Sequence, residues 1–174
     1  MVFIIITLVF LFFLLKILAR ILKRASKQKY ASLASSHVAS HDQPHFTVGF
    51  FHPFCYSGGG GERVLWSAVK ILQDTYPKCV CVIYTGDSNA SHGDFVKQAR
   101  ERFSIQLSER RTQFVYLKTR WLLLAQYYPA FTLLGQSLGS MVVGLEAFLK
   151  FIPDVYFETT GYAFTYPLFH YLGN

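Results

Sequence analysis

Acidic side chains are scarce in this sequence, and before Asp42 there are none. The same stretch holds Lys16, Arg20, Lys23, Arg24, Lys27 and Lys29. Of the 17 basic residues, the other 11 nearly balance the 10 acidic ones, so the formal net charge of +7 is a local N-terminal block. A basic nucleic-acid-binding face is thereby excluded, and no nucleic-acid module is recognisable. Charged residues make up only 16% against 52% hydrophobic, which excludes global disorder. Cysteine is scarce as well: Cys55, Cys79 and Cys81. An odd number in a chain this small fits a reducing compartment. Cys79 and Cys81 stand two apart in an apparent strand, on one face, where they cannot bridge comfortably. No Cys or His cluster supplies the other ligands of a metal site, so they read as small buried apolar residues, and no metal is expected.

Turning to what is present, the chain opens on a hydrophobic run from Val2 to Leu15, interrupted in polarity only by Thr7 and continued by Ile17, Leu18, Ile21 and Leu22. A bilayer span takes about 20 apolar residues. The run reaches that length when Lys16 and Arg20 extend to the headgroups. Lys16, Arg20, Lys23 and Lys27 recur at helical spacing, a basic stripe at the membrane surface followed closely by Arg24. A cleaved signal peptide would carry its charge before the run and a small-residue site after it, and neither is found. An uncleaved anchor is the reading. Basic residues after the span place the N-terminus in the lumen and the rest in the cytosol. The sequon Asn89-Ala90-Ser91 would then never meet the glycosylation machinery.

Residues 1–24 therefore read as an anchor, 25–45 as a basic, polar linker, and 46–174 as one folded domain. Within it, "HFTVGFF", "CVCVIYT", "QFVYL" and "DVYFET" read as strands. Glu62–Tyr76 and Phe95–Phe103 read as helices, the first with an apolar stripe of Val64, Leu65, Ala68, Val69, Ile71 and Leu72. Alternating strands and helices with short connections imply βαβ units and a parallel sheet. Trp121–Leu145 carries no charge at all. It reads as a core helix or as a helix partly immersed in a membrane surface. A full span would put "DVYFET" on the wrong side of the bilayer. Gly135 and Gly139 form a G-x-x-x-G, a weak signal outside a confirmed span.

The strongest local feature is the segment from His52 through Gly58, Gly59, Gly60 and Gly61 to Glu62 and Arg63, set between strand and helix. Four consecutive glycines cost conformational entropy, and close approach of a ligand to bare backbone is the mechanical reason to have them. The amides opening the Glu62 helix are unpaired and lie at its positive pole, which suits phosphate. Arg63 adds a charge-assisted contact, while Glu62 is also favourable to the helix dipole by itself. His52 sits where α/β sheets place ligands, although a histidine capping the turn fits equally. A Walker A loop needs Gly-Lys-Ser/Thr, and Glu-Arg follows here. The dinucleotide fingerprint is matched in part, with Asp87 after the second strand but Arg63 at the third glycine position.

The segment "VGFFHPFCYSGGGGERVLWSAVKILQDTYPKCVCVIYTGD" resembles the GDP-mannose-dependent α-1,2-mannosyltransferases of asparagine-linked glycosylation, and so does the tail "GYAFTYPLFHYLGN". The resemblance runs from about Val48 to Asn174. It implies the Rossmann-like N-terminal, acceptor-side domain of a two-domain GT-B-type enzyme. The activity implied is transfer of mannose from GDP-mannose to dolichyl-diphosphate oligosaccharide, at the cytosolic face of the endoplasmic reticulum membrane and without a cofactor. Other dolichol-pathway mannosyltransferases are further expected partners. Residues Gly58 to Gly61 would line the cleft near diphosphate, with Glu62 and Arg63 shaping that surface. No catalytic residue is assigned. The donor-binding domain is not in this sequence, so the chain alone is expected to transfer no mannose. A membrane-tethered, non-catalytic module that binds dolichyl diphosphate or a partner transferase is the alternative, followed by a dinucleotide-binding oxidoreductase.

Overall fold

Four runs rich in β-branched and aromatic residues become strands: β1 (Phe46–Phe51), β2 (Cys79–Thr85), β3 (Thr112–Tyr116) and β4 (Val155–Glu158). The structure, a computed structural model, describes residues 2–35 and 46–173. All pairings are parallel and the strand order is β3-β2-β1-β4. Parallel neighbours require crossovers. They are supplied by α2 (Gly60–Thr75), α3 (His92–Phe103) and α4 (Thr132–Lys150). A short helix, α5 (Tyr166–Leu172), follows β4, and α1 (Val2–Ser35) precedes the sheet. The first two crossovers step away from β1 on one side and the third returns to its other side. That reversal falls between β1 and β4, where Phe51 is in register with Glu158, and the carboxyl edge at such a switch point is where open α/β sheets hold ligands.

Because side chains alternate along each strand, the sheet has two distinct faces. One presents Val48, Phe50, Cys79, Cys81 and Ile83 to α2 and α3, which bury Leu65, Trp66, Val69 and Phe95 against them. Cys79 and Cys81 are fully buried free thiols on this face, as their spacing implied. The stripe expected on α2 is shifted: Val64 and Ile71 are exposed, and Trp66 and Gln73 are buried instead. Tertiary packing rotates the helix, because Trp66 meets Phe114 of β3 edge-on at 6.3 Å and Gln73 donates to Thr112 Oγ1 at 2.9 Å.

The other face presents Phe51, Val80, Val82, Tyr84 and Val115 to α4 and α5. Ala19 and Leu22 of α1 join this layer, and Lys23 Nζ donates to Gly173 O at 2.9 Å and lies 3.8 Å from Asp154. Lys23 therefore turns to the domain and leaves the basic stripe that its spacing suggested. The helix also continues past residue 24 to Ser35, into the segment read as linker, whose residues 36–45 lie outside the described ones. Of α1, Phe10, Phe13, Leu14, Ile17 and Leu18 are exposed.

Among the described residues, α4 is long and apolar enough to cross a membrane by length and composition. Its attachment to the domain is close. The Glu146 carboxylate accepts from the backbone amides of Lys118 and Thr119, both at 2.8 Å, and from the Thr119 hydroxyl. Lys150 reaches Glu146 and the carbonyl of Tyr116. Gly135 and Gly139 serve close packing inside the chain: Tyr128 covers the first, and the Leu122 carbonyl would lie 2.4 Å from a Cβ on the second. The G-x-x-x-G is thus used against the turn that precedes the helix.

Candidate functional site

The glycine loop leaves β1 at its carboxyl end and enters α2, so it lies at the edge where open α/β sheets hold ligands. The fold brings His52 and Gly58 through Arg63 together there. Gly58 adopts φ +79°, a left-handed conformation that disfavours any side chain, with the Arg102 guanidinium lying directly over it. Gly59 and Gly60 face open space, and nothing lies within 4 Å of where a Cβ would stand.

Glu62 is nearly fully buried, and its carboxylate is turned inward. It accepts the amides of Ser57 at 2.7 Å, Gly58, and Gly59 at 3.1 Å. An anion held by the loop is therefore already there, supplied by the chain itself. This narrows the sequence reading: the loop's own amides up to Gly59 are taken, and the amides of Gly60, Gly61 and Glu62, in the first turn of α2, are the ones without intrahelical acceptors. Arg63 stands exposed in that first turn.

His52 is buried beside this turn, its Cε1 3.6 Å from the Cβ position of Gly61. Its Nδ1 lies 2.7 Å from Thr159 Oγ1. That hydroxyl also lies 3.0 Å from the Phe51 carbonyl, which can only accept. The Thr159 proton is thus committed to Phe51, so Nδ1–H must donate to Thr159 and Nε2 carries the lone pair. Burial lowers the imidazole pKa from its ordinary value, with the charges of Glu158 and Asp87 opposing it. The ring is a neutral hydrogen-bond acceptor at neutral pH. It does not supply positive charge to a phosphate.

On the flank, Asp87 follows β2 and accepts the Tyr56 amide at 3.0 Å. It also pairs with Arg120, whose guanidinium stacks 5.1 Å from the Phe54 ring. Asp87 thereby ties the start of the glycine loop to the turn after β3. An aspartate so engaged is a brace, which weakens its reading as the acidic residue of a dinucleotide fingerprint. Glu158 closes its own turn, accepting from the amides of Thr160 and Gly161, both at 2.7 Å. Sequence reasoning missed Thr159, Arg102 and Arg120. Thr159 had a signal, since it ends the segment read as the last strand; the two arginines arrive from α3 and from the β3–α4 connection with none. A cavity of about 280 Å³ lined by Pro153, Tyr156, Tyr166 and His170 sits at the amino end of β4, remote from the loop.

An open parallel sheet whose reversal point carries a glycine loop, a helix amino terminus and a buried histidine is a Rossmann-like α/β domain. The family model described as ALG11 mannosyltransferase N-terminus matches residues 45–174, and the chain belongs to that family. A Xenopus laevis relative is 55% identical over 126 residues, covering 72% of this chain and 26% of the relative. Relatives from Homo sapiens (52% over 126 residues, 72% of this chain and 25% of theirs) and Dictyostelium discoideum (47% over 132 residues, 76% and 26%) carry the same name. That name is GDP-Man:Man(3)GlcNAc(2)-PP-Dol alpha-1,2-mannosyltransferase. The chain spans about a quarter of the length of these relatives. No solved structure matches it. The comparisons lend no support to a non-catalytic module or to an oxidoreductase.

Proposed function

We propose that this chain is the anchored N-terminal part of an α-1,2-mannosyltransferase that moves mannose from GDP-mannose to a dolichyl-diphosphate oligosaccharide. The observation that carries the proposal is the family match over residues 45–174, which includes the glycine loop and all four strands. In a GT-B arrangement this half binds mainly the acceptor, a second domain binds the nucleotide sugar, and reaction occurs between them. Residues 1–24 would be the anchor, with Val2 to Leu15 in hydrocarbon and Lys16, Arg20 and Arg24 at the headgroups. Residues 25–45 would link it to the domain at 46–174, on the cytosolic face of the endoplasmic reticulum. Other dolichol-pathway mannosyltransferases would be its neighbours there.

The site's chemistry divides by charge. Diphosphate would approach the amides of Gly60 and Gly61 over the open surface of Gly59, with Arg63 adding charge. Glu62 would hold Gly58 and the rest of the loop in shape from within. His52, neutral and with Nε2 free of its proton, would accept a hydrogen bond from a sugar hydroxyl.

The test is a chimera in which residues 46–173 replace the corresponding segment of the Xenopus laevis relative. Mannose transfer from GDP-mannose to the lipid-linked acceptor is expected. A chimera that folds yet transfers nothing sinks the reading. Within an active chimera, Gly60→Val should cut transfer about tenfold or more by blocking approach to the backbone, with stability little changed. Undiminished transfer in that variant would remove the loop from the site.

A further inference from the structure

The inner surface of α4 is made mostly of small residues, with Phe148 as its one large apolar side chain. Gly139, Ser140, Val143, Gly144 and Ala147 are buried against the domain. The other large apolar ones point away: Leu134, Leu138, Met141, Leu145 and Leu149 are exposed by 59, 57, 49, 44 and 55%. At 100° per residue these fall on one stripe, and Phe131, the left-handed residue just before the helix, is 84% exposed at its start. A helix of a water-soluble domain has the opposite polarity. Exposed apolar patches of this extent mark a contact surface.

Three features select lipid as what covers it. The first is continuity with α1. Ala19 and Leu22 share a core layer with Ala147 and Phe148, so α1 docks on the side of the sheet that α4 covers. From Ala19 to the apolar run ending at Leu15 the helix rises only about 6 Å, so this side of the domain must lie close to the headgroups. The second is the margin of the stripe. Trp121 and Tyr127, both exposed and stacked edge-on at 5.5 Å, sit beside the start of α4, and amphipathic aromatics favour the membrane–water boundary. The third is the attachment of α4. It is a crossover between two strands of one sheet and is held through Glu146 and Lys150, so it cannot cross the bilayer.

We propose that the outward face of α4, flanked by Trp121 and Tyr127, lies in the plane of the same membrane that α1 enters, as a second contact. The proposal rests on the reading of α1 as the anchor. With two contacts on one side of the sheet, the domain cannot swivel about its anchor. The glycine-loop edge is then held at a fixed tilt to the surface from which a lipid-linked acceptor projects.

The experiment places a single bimane label at Leu134→Cys, Leu138→Cys or Leu145→Cys of the full chain in vesicles containing brominated lipids. Cys55, Cys79 and Cys81 are all buried and compete little for the label. Ile71→Cys on α2 serves as the solvent-facing control and Phe10→Cys as the anchor control. About twofold quenching is expected at the α4 positions and at Phe10, none at Ile71, and depths at Leu134 and Leu145 alike within the outer 5–10 Å of the acyl region. A depth difference near 16 Å between those two would mean a span and overturn the proposal. Quenching at Phe10 with none on α4 would overturn it while leaving the anchor reading intact. Absence of quenching at all these positions would overturn both. In the labelled chimera the α4 quenching must persist. Its loss there, with iodide also excluded, would mean that the rest of the protein covers the face.

Discussion

The two faces of the sheet are built by opposite rules. On one, α2 and α3 bury Trp66, Leu65 and Phe95, leaving charged side chains such as Lys97 and Glu101 outside. On the other, α4 buries mostly small residues, Gly139, Ser140, Val143, Gly144 and Ala147 beside Phe148, and leaves leucine and methionine outside. The first face is stabilised by apolar area removed from water. The second has an apolar core of its own around Phe51, Tyr84, Phe148 and Phe151, to which α4 adds close backbone approach and hydrogen bonds converging on Glu146, while its outward leucines contribute nothing until something other than water covers them.

The contrast can be broken by substitution. Trp66→Ala should be the most damaging, costing about 3–5 kcal/mol in denaturant unfolding of the detergent-solubilised chain. Next comes Gly139→Ala, in which the added Cβ would meet the Leu122 carbonyl at 2.4 Å. A loss of about 1–3 kcal/mol is expected, although alanine favours a helix over glycine. Should that variant prove as stable as the parent, close packing is not what holds α4.

Acid sharpens the comparison further. Burial works to raise the Glu146 pKa, but the bonds from Lys150, Thr119 and Lys118 outweigh it and hold the carboxyl low, at about 2. Its contribution is present above the ordinary value of 4.5 and is lost as pH falls from there toward 2, because the unfolded chain takes up the proton first. Protease nicking around α4 should therefore rise in that window, and Glu146→Gln should flatten the dependence. The smallest effect is expected at Leu138→Ala, next to Gly139: about 0.5 kcal/mol or less in detergent. A large loss there would mean that the outer face is packed after all.

Much of the molecule was legible from residue patterns. The strands announce themselves through runs such as Cys79–Thr85, whose unbroken apolar character suits a strand buried on both faces. The glycine loop was legible because four glycines in a row are entropically costly unless the backbone must stay bare for something to approach it. The site's internal wiring was not. Glu62 looked like a first-turn acid, and only the folded loop shows its carboxylate taking the amides of Ser57, Gly58 and Gly59. The tautomer of His52 depends on Thr159, a residue 107 positions away. Val64 and Ile71 had the right spacing for the α2 core and lost it to Trp66, because a large indole needs the deeper place.

By itself the sequence determined the four strands, the first two crossover helices, a parallel sheet, the place of the glycine loop and the family, since these follow from local periodicity, from crossover geometry and from a long contiguous motif. The stretch read as one helix over Trp121–Leu145 folds instead as short turns followed by α4 at Thr132–Lys150. Tertiary structure alone decided which side of each helix faces the sheet and which donors of the loop stay open. It also decided which nitrogen of His52 holds the proton and that α4 wears its leucines outside. Those properties depend on contacts between distant segments, and no local pattern encodes which of several apolar faces will meet the core.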